Sequence, residues 1–216
     1  MIDIFEISKK VLSRLSIMDY EKVGGISTEQ LIFPMKIQAK GEKRKNRVSE
    51  QEFRLLFIEE FKIKHPNLFY SIETPTDGKF NLGKTYETIK IDPDGRSASH
   101  DMCIFERVSG TYNRLLNVEF KHRNSGIKNT AKDILKLMQE RQDGVFIHLL
   151  ENTNKGTLNS IFKKLYKSFF DCQGYWNNES KSIQLVILSL KQKKLIYYRI
   201  NKVDLMNLGD NMFQKP

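Results

Sequence analysis

The spacing of apolar residues along the chain predicts four amphipathic helices. Positions three and four residues apart, which share one face of a helix, are repeatedly apolar over residues 2–17, 49–64, 129–142 and 157–170. Ser49 precedes the second of these segments as a typical N-cap, and Pro66 disfavours helical backbone just after it. Each predicted helix therefore has one face for a core and one for solvent.

Shorter apolar runs between the helices predict β-strands. They cover residues 68–74, 102–105, 115–121, 145–150, 183–190 and 195–200. The polar segment 76–98, rich in Gly and Asp, predicts a long loop. Strand 115–121, the helix after it and strand 145–150 predict a right-handed βαβ unit. We therefore expect an α/β fold with a central mixed sheet flanked by helices.

The first 47 residues differ in composition from the rest of the chain. Gly24-Gly25 and Pro34 interrupt regular structure, and residues 40–47 hold five cations and one acid. This run is either a solvated linker or an arm that contacts phosphates. We expect an N-terminal helical extension with a basic linker over residues 1–47, and one main domain over residues 48–216.

Charge and cysteine usage narrow the class of function. The formal net charge is +10, which favours a polyanionic partner such as nucleic acid over a merely lysine-rich surface. Cys103 and Cys172 are too few for a disulfide framework, so a reducing cytoplasm is the expected location. No run approaches the ~18 apolar residues of a membrane span, and we expect no membrane partner.

Three charged residues occupy unusual places on two of the predicted strands. Asp101 directly precedes strand 102–105, while Glu119 and Lys121 share one face of strand 115–121 because side chains alternate. If the two strands pair as an antiparallel hairpin, all three residues lie at its open end. Two neighbouring carboxylates repel each other, and a hard divalent cation relieves that repulsion. The lysine beside them can position a water molecule or stabilise developing negative charge.

Alternatives stay open for two acids of this group. Asp94, in a Pro-Asp dipeptide, is a second candidate for the strand aspartate, but it precedes a glycine in a predicted turn. Asp101 leads into a strand that can hold a ligand rigidly, and we favour it. Glu50 lies on the apolar stripe of helix 49–64 and is our candidate for an additional acid, with Glu52 as the alternative. Both glutamates also suit the positive end of the helix dipole.

The order of Asp101, a variable hairpin and Glu119-Phe120-Lys121 eighteen residues on resembles the PD-(D/E)XK nuclease superfamily. The resemblance covers residues 48–150 and includes the order of elements as well as the motif. It implies a restriction endonuclease-like αβββαβ core and a Mg²⁺- or Mn²⁺-dependent endonuclease that acts on DNA. The alternative is an inactive nucleic-acid-binding module with the same fold.

The resemblance also implies roles for individual residues. Asp101, Glu119 and the main-chain carbonyl of Phe120 would hold the metal, Lys121 would orient the attacking water, and Glu50 would be a further catalytic acid. A homodimer stays open, because cutting both strands of a duplex usually needs two active sites. Duplex, branched and single-stranded DNA and RNA all stay open as substrates.

Basic residues near the motif are candidates for phosphate binding. Lys128, Lys132 and Lys136 recur at a spacing of four and line either a solvated helix face or a track for phosphates. His122 directly follows the motif lysine and either contacts a phosphate or lies at the surface. The predicted nucleic-acid-binding residues are Lys43, Arg44, Lys45, His122, Arg123, Lys128 and Lys132.

Overall fold

A seven-stranded mixed sheet forms the centre of the protein. The structure is a computed structural model and describes residues 2–18, 31, 49–151 and 153–207. The strands are β1 (Phe69–Asn81), β2 (Lys90–Ile91), β3 (Arg96–Val108), β4 (Thr111–His122), β5 (Asp143–Leu150), β6 (Ser182–Ser189) and β7 (Lys194–Asn201). Their spatial order is β2-β1-β3-β4-β5-β6-β7. β4, β5 and β6 run parallel to one another, and every other neighbouring pair is antiparallel.

Helices cover both faces of this sheet. They are α1 (Ile4–Ile17), α2 (Glu50–Lys64), α3 (Ile127–Gln139), α4 (Lys155–Cys172) and the short α5 (Lys202–Asn207). α1 and α2 pack on one face, where Phe53 and Phe57 meet the ring of Phe120 edge-on with centroids 5.1 and 5.2 Å apart. α3 and α4 pack on the other face, in a separate apolar core. None of the described helices is both long and apolar enough to cross a membrane.

The structure confirms the α/β class, the mixed central sheet and the flanking helices. The strands around residues 70, 103, 118 and 147 are neighbours, as β1, β3, β4 and β5. The four predicted helices are present, with ends shifted by a few residues. α5 was not predicted, because six residues are too few to establish a helical pattern.

β1 and β3 are longer than the apolar pattern predicts. The predicted loop 76–98 is wrong at both ends, because β1 continues to Asn81 and β3 begins at Arg96. These strand ends are polar, so no apolar alternation indicates them. Thr76 joins the two strands partly through its side chain, since the N–H of Ala98 donates to the Thr76 hydroxyl over 2.9 Å.

The N-terminal helix belongs to the same apolar core as α2. Ile4, Ile7 and Val11 of α1 are buried in one cluster with Phe57 and Phe61 of α2. This packing fixes α1 against the sheet rather than leaving it as a detached arm. The predicted basic linker, with Lys43, Arg44 and Lys45, lies outside the described residues. The predicted domain boundary near residue 47 lies there too.

Candidate functional site

The predicted motif residues meet where β3 and β4 diverge. Backbone pairing of these strands ends at Met102 and Val118. Just beyond, the N–H of Phe120 donates to Oδ2 of Asp101 over 2.7 Å. The carboxylate therefore occupies the place of a strand carbonyl, which fixes Asp101 beside the Glu119-Phe120-Lys121 segment.

β3 changes faces at Asp101. Met102 packs into the core with α1 and α2, whereas Ala98, also even-numbered, packs into the core with α3 and α4. In a regular strand these two side chains would point to the same face. On β1, Glu73 lies opposite Asp101 and has a φ of 49°, in the left-handed region. Arg54 of α2 donates a hydrogen bond to the Glu73 carboxylate over 2.9 Å and holds this bend.

The bend brings Asp101 close to charges from both helical layers. Its pKa is raised to about 7, first by burial and then by the negative charge of Glu119. Glu50, the first residue of α2, also has a raised pKa, because of burial and then the charge of Asp101. The three acids therefore form one electrostatic group.

The structure places Glu50, rather than Glu52, beside the strand aspartate. Glu52 accepts a hydrogen bond from the hydroxyl of Ser49, and its charge acts on His122. Ser49 is the N-cap residue of α2, but its side chain makes no capping bond to the backbone. Glu50 and Glu52 lie two residues apart and therefore on different sides of α2, and it is Glu50 that faces the group.

Glu119 is the most deeply buried acid of the site. Its side chain is 1 % exposed, and Oε1 accepts hydrogen bonds from Nδ1 of His100 (2.6 Å) and Nζ of Lys136 (2.8 Å). Burial raises the pKa of Glu119, and the positive charge of Lys136 opposes that rise. Burial and then the charge of Lys136 lower the pKa of His100 to about 3, so the imidazole is neutral at physiological pH.

Lys121 is held by an acid of α3. Its Nζ lies 2.5 Å from Oδ2 of Asp133, and Oδ1 of Asp133 lies 3.1 Å from Nζ of Lys136. Burial lowers the pKa of Lys121, but the Asp133 carboxylate outweighs this effect and the net shift is upward. The same balance raises the pKa of Lys136, whose burial is outweighed by Glu119 and Asp133. Both lysines are therefore charged.

Sequence reasoning missed three members of this group: His100, Asp133 and Lys136. Lys136 was predicted on a solvated or phosphate-contacting face, and that is wrong, because it is 7 % exposed and paired with Glu119. The available signal was a polar stripe at helical spacing, made of Asp133 and Lys136 on α3 and Glu140 just after its end. All three are buried.

The predicted phosphate-binding residues take different positions. Lys128 donates to the carbonyl of Gly83 and ties the segment between β1 and β2 to α3. Lys132 is partly exposed, and its pKa is lowered by burial and then by the charge of Lys128. His122 and Arg123 both face Glu151, with contacts of 3.5 and 2.9 Å.

The alternative aspartate, Asp94, lies in a different environment. It is exposed, in a turn in which the N–H of Gly95 donates to the carbonyl of Asp92 over 2.9 Å. Its own N–H donates to the Asp92 carboxylate. Asp101 is therefore the aspartate that the fold brings to Glu119.

The group fits a divalent cation in charge and donor type. When Glu50, Asp101, Glu119 and Asp133 are ionised, four negative charges face the two positive charges of Lys121 and Lys136. Within the described part of the chain, nothing donates a hydrogen bond to Oδ1 of Asp101, to Oε2 of Glu119 or to the Glu50 carboxylate. These are the hard oxygen atoms that Mg²⁺ and Mn²⁺ prefer.

The site is not a closed cage of protein ligands. No set of three or more His, Cys, Asp or Glu side chains among the described residues is arranged to hold a metal ion. Mg²⁺ commonly keeps several waters and binds through one or two carboxylates, so an open arrangement suits it.

Comparisons of the chain with known protein families, with characterised proteins and with solved structures find no match. The geometry of this group therefore carries the functional argument.

Proposed function

We propose that the chain is a metal-dependent endonuclease of the PD-(D/E)XK superfamily that hydrolyses phosphodiester bonds of DNA. One observation carries this proposal. Glu50, Asp101, Glu119 and Lys121, which come from α2, β3 and β4, form one electrostatic group with more acids than bases and with unbonded carboxylate oxygens. A buried charge imbalance of this kind is costly and is concentrated at functional sites.

The order of elements supports a restriction endonuclease-like core. α2, β1, β3, β4, α3 and β5 follow one another as helix, three antiparallel strands, helix and parallel strand, with a 3-10 turn (Tyr86–Thr88) and the two-residue β2 between β1 and β3. This is the αβββαβ order that the resemblance implies. The motif residues lie on the second and third strands of that series, as the superfamily pattern requires.

The proposed mechanism assigns each residue one task. Asp101 and Glu119, with the main-chain carbonyl of Phe120, would hold Mg²⁺ or Mn²⁺, which when bound activates water and neutralises charge on the phosphate. Glu50 lies beside Asp101 as an outer acid. Lys121, kept charged by Asp133, orients the attacking water and stabilises charge in the transition state.

The basic character of the chain supports a DNA partner. The net charge of +10 remains although the candidate site is itself acidic. Lys132 is partly exposed on the helix that carries Asp133, where it can contact a phosphate near the site. The run 40–47 directly precedes α2, whose first residue is Glu50. Phosphate contacts of this kind position a nuclease without reading sequence.

A second candidate function is binding of nucleic acid without cleavage. It is favoured by the bonds that Glu119 and Lys121 already make, to Lys136 and Asp133. Side chains fixed in ion pairs are less available to a metal and a substrate. Both candidates predict salt-dependent DNA binding, and they differ in metal binding and cleavage.

The test is a cleavage assay on plasmid, linear, branched and RNA substrates with Mg²⁺, Mn²⁺ or EDTA. We expect cleavage of DNA with either metal and none with EDTA. Asp101→Asn should abolish cleavage, and the matched control Asp94→Asn should cleave like the parent. Metal-independent DNA binding without any cleavage would favour the second candidate. Equal activity of Asp101→Asn and the parent would overturn the site.

A further inference from the structure

α3 carries a pair of charges that matches the motif on β4. Lys121 of β4 meets Asp133, and Glu119 of β4 meets Lys136, at 2.5 and 2.8 Å. Asp133 and Lys136 also contact each other, at 3.1 Å. On each element the acid precedes the base in sequence, and the pairs are crossed, because each lysine meets the acid of the other element. The four side chains form a chain of alternating charge, Lys121–Asp133–Lys136–Glu119.

This chain is more than a surface ion pair. Asp133 and Lys136 are each 7 % exposed, and Glu119 is 1 % exposed. Charges this deeply buried are retained only where each has a partner. Lys136 has a third contact, because its Nζ donates to the carbonyl of Ser99 on β3 over 2.9 Å. The ammonium therefore links α3 to both strands of the candidate site.

We propose that Lys136 and Asp133 are positioning residues of the active site. Lys136 holds Oε1 of Glu119 and leaves Oε2 as the oxygen available to a cation. Asp133 holds the Lys121 ammonium within the electrostatic reach of Asp101 and Glu50. The functional pattern is then Asp101, Glu119-x-Lys121 and Asp133-x-x-Lys136. This inference rests on the proposed nuclease function.

A purely structural role would give the same contacts, so the test needs a matched control. Lys181 is that control: it is also a buried lysine against α3, 3 % exposed, but it donates to the carbonyls of Leu137 and Met138. It touches neither Glu119 nor Lys121. Lys136→Met and Lys181→Met therefore both remove a buried ammonium, and only the first affects the site.

The experiment measures thermal unfolding, Mg²⁺ affinity by calorimetry and kcat for DNA cleavage in the parent, Lys136→Met, Lys136→Arg and Lys181→Met. In Lys136→Met we expect kcat to fall about 100-fold, the cost of a misplaced catalytic group. Mg²⁺ affinity should not fall, because a competing cation has been removed. Lys136→Arg should recover most of the lost kcat, and folded Lys181→Met should keep the parent's kcat.

A second measurement covers the case in which Lys136→Met does not fold. Asp133→Asn should lower kcat in the parent and have no further effect in the Lys121→Ala background, since it acts through Lys121. Multiplicative losses in that double variant would overturn the role of Asp133. A kcat for Lys136→Met within twofold of the parent, or a parallel fall in Mg²⁺ affinity, would overturn the role of Lys136.

These outcomes separate the inference from the proposed function. A parent that binds Mg²⁺ and cleaves DNA, with both α3 variants unimpaired, overturns only the positioning roles. A parent that neither binds Mg²⁺ nor cleaves overturns both.

Discussion

Two buried groups of charge contact α3, and they differ in how completely they are satisfied. Beyond the end of α3, Glu140 is 1 % exposed and accepts from the N–H groups of Asp77 and Gly78, at 2.9 and 3.2 Å, and from Arg114 at 3.1 Å. Both of its carboxylate oxygens have donors. Around Glu119 the acids outnumber the cations. One carboxylate oxygen of Asp101 (Oδ1) and one of Glu119 (Oε2) have no donor among the described residues.

The comparison separates a structural use of buried charge from a candidate functional one. The Glu140 group ties β1 and β4 to the end of α3, and its donors balance its acceptors. The Glu119 group is left with unmet charge, which only an added cation or bound protons can neutralise. The Glu140 group shows that a buried acid at α3 can be fully satisfied by neighbouring donors, so the unbonded oxygens near Glu119 are consistent with the metal site proposed above.

The largest expected effects come from substituting Glu119 and Glu140, the central acids of the two groups. Glu119→Gln should lower cleavage by about 10³-fold or more and keep the protein folded, because it removes a proposed metal ligand. Glu140→Ala should lower the free energy of unfolding by about 3–5 kcal/mol, since it leaves Arg114 without its closest acid. Urea unfolding and cleavage rates of both variants test this. If Glu140→Ala abolished cleavage and left the free energy of unfolding unchanged, the structural role of Glu140 would be contradicted.

The next effect is a pH dependence of stability in the metal-free protein. The pKa of Asp101 is raised from an ordinary 3.8 to about 7, so the folded state binds this proton more tightly than the unfolded chain. The proton on Asp101 therefore stabilises the folded state. This stabilisation is complete below the ordinary pKa of 3.8 and is lost as pH rises through about 7. Between about pH 4 and pH 8, the free energy of unfolding of Asp101→Asn should therefore rise relative to the parent by up to about 4 kcal/mol.

This prediction is measured by urea unfolding in EDTA over a pH series. His100 and His148 have lowered pKa values through burial and act in the opposite direction, but they are common to both proteins and cancel in the difference. Asp94→Asn serves as the control and should show no such trend. Added Mg²⁺ should stabilise the parent more at high than at low pH. A difference that does not change with pH would contradict the placement of Asp101 beside Glu119.

The smallest expected effect concerns DNA affinity. Lys132→Ala should weaken DNA binding several-fold and lower the slope of log affinity against log salt by about one, as for one lost phosphate contact. Lys194→Ala, an exposed lysine on the far edge strand β7, is the matched control. Equal salt slopes for the two variants would show that Lys132 does not contact a DNA phosphate.

The sequence predicted much of the fold because its elements are strongly periodic. Ile134, Leu137 and Met138 predicted α3, and they are fully buried. The polar end of β1, residues 76–81, could not be predicted, because Phe80 is its single apolar residue and one residue makes no alternating pattern. It pairs with a stretch of β3 that is also mainly polar.

The residues of the candidate site could likewise be predicted only in part. Strand periodicity predicted that Asp101, Glu119 and Lys121 would lie together, since pairing on two adjacent strands is a local property. The position of Lys136 depended on which side of α3 meets the sheet, and a lysine at helical spacing looks the same in sequence whether exposed or buried. Glu50 and Glu52 likewise differ only in how α2 is rotated against β3.

The left-handed backbone at Glu73 has a consequence for evolution of the site. A non-glycine residue in that conformation costs about 1 kcal/mol or more, so glycine would relax the strand. Glycine would also remove the carboxylate that binds Arg54, one turn after Glu50 on α2. Relief of backbone strain therefore favours glycine at position 73, whereas the bond to Arg54 on α2 favours glutamate. A lineage that acquired glycine there would relieve the backbone strain in β1 but lose the bond that ties β1 to α2 beside the site.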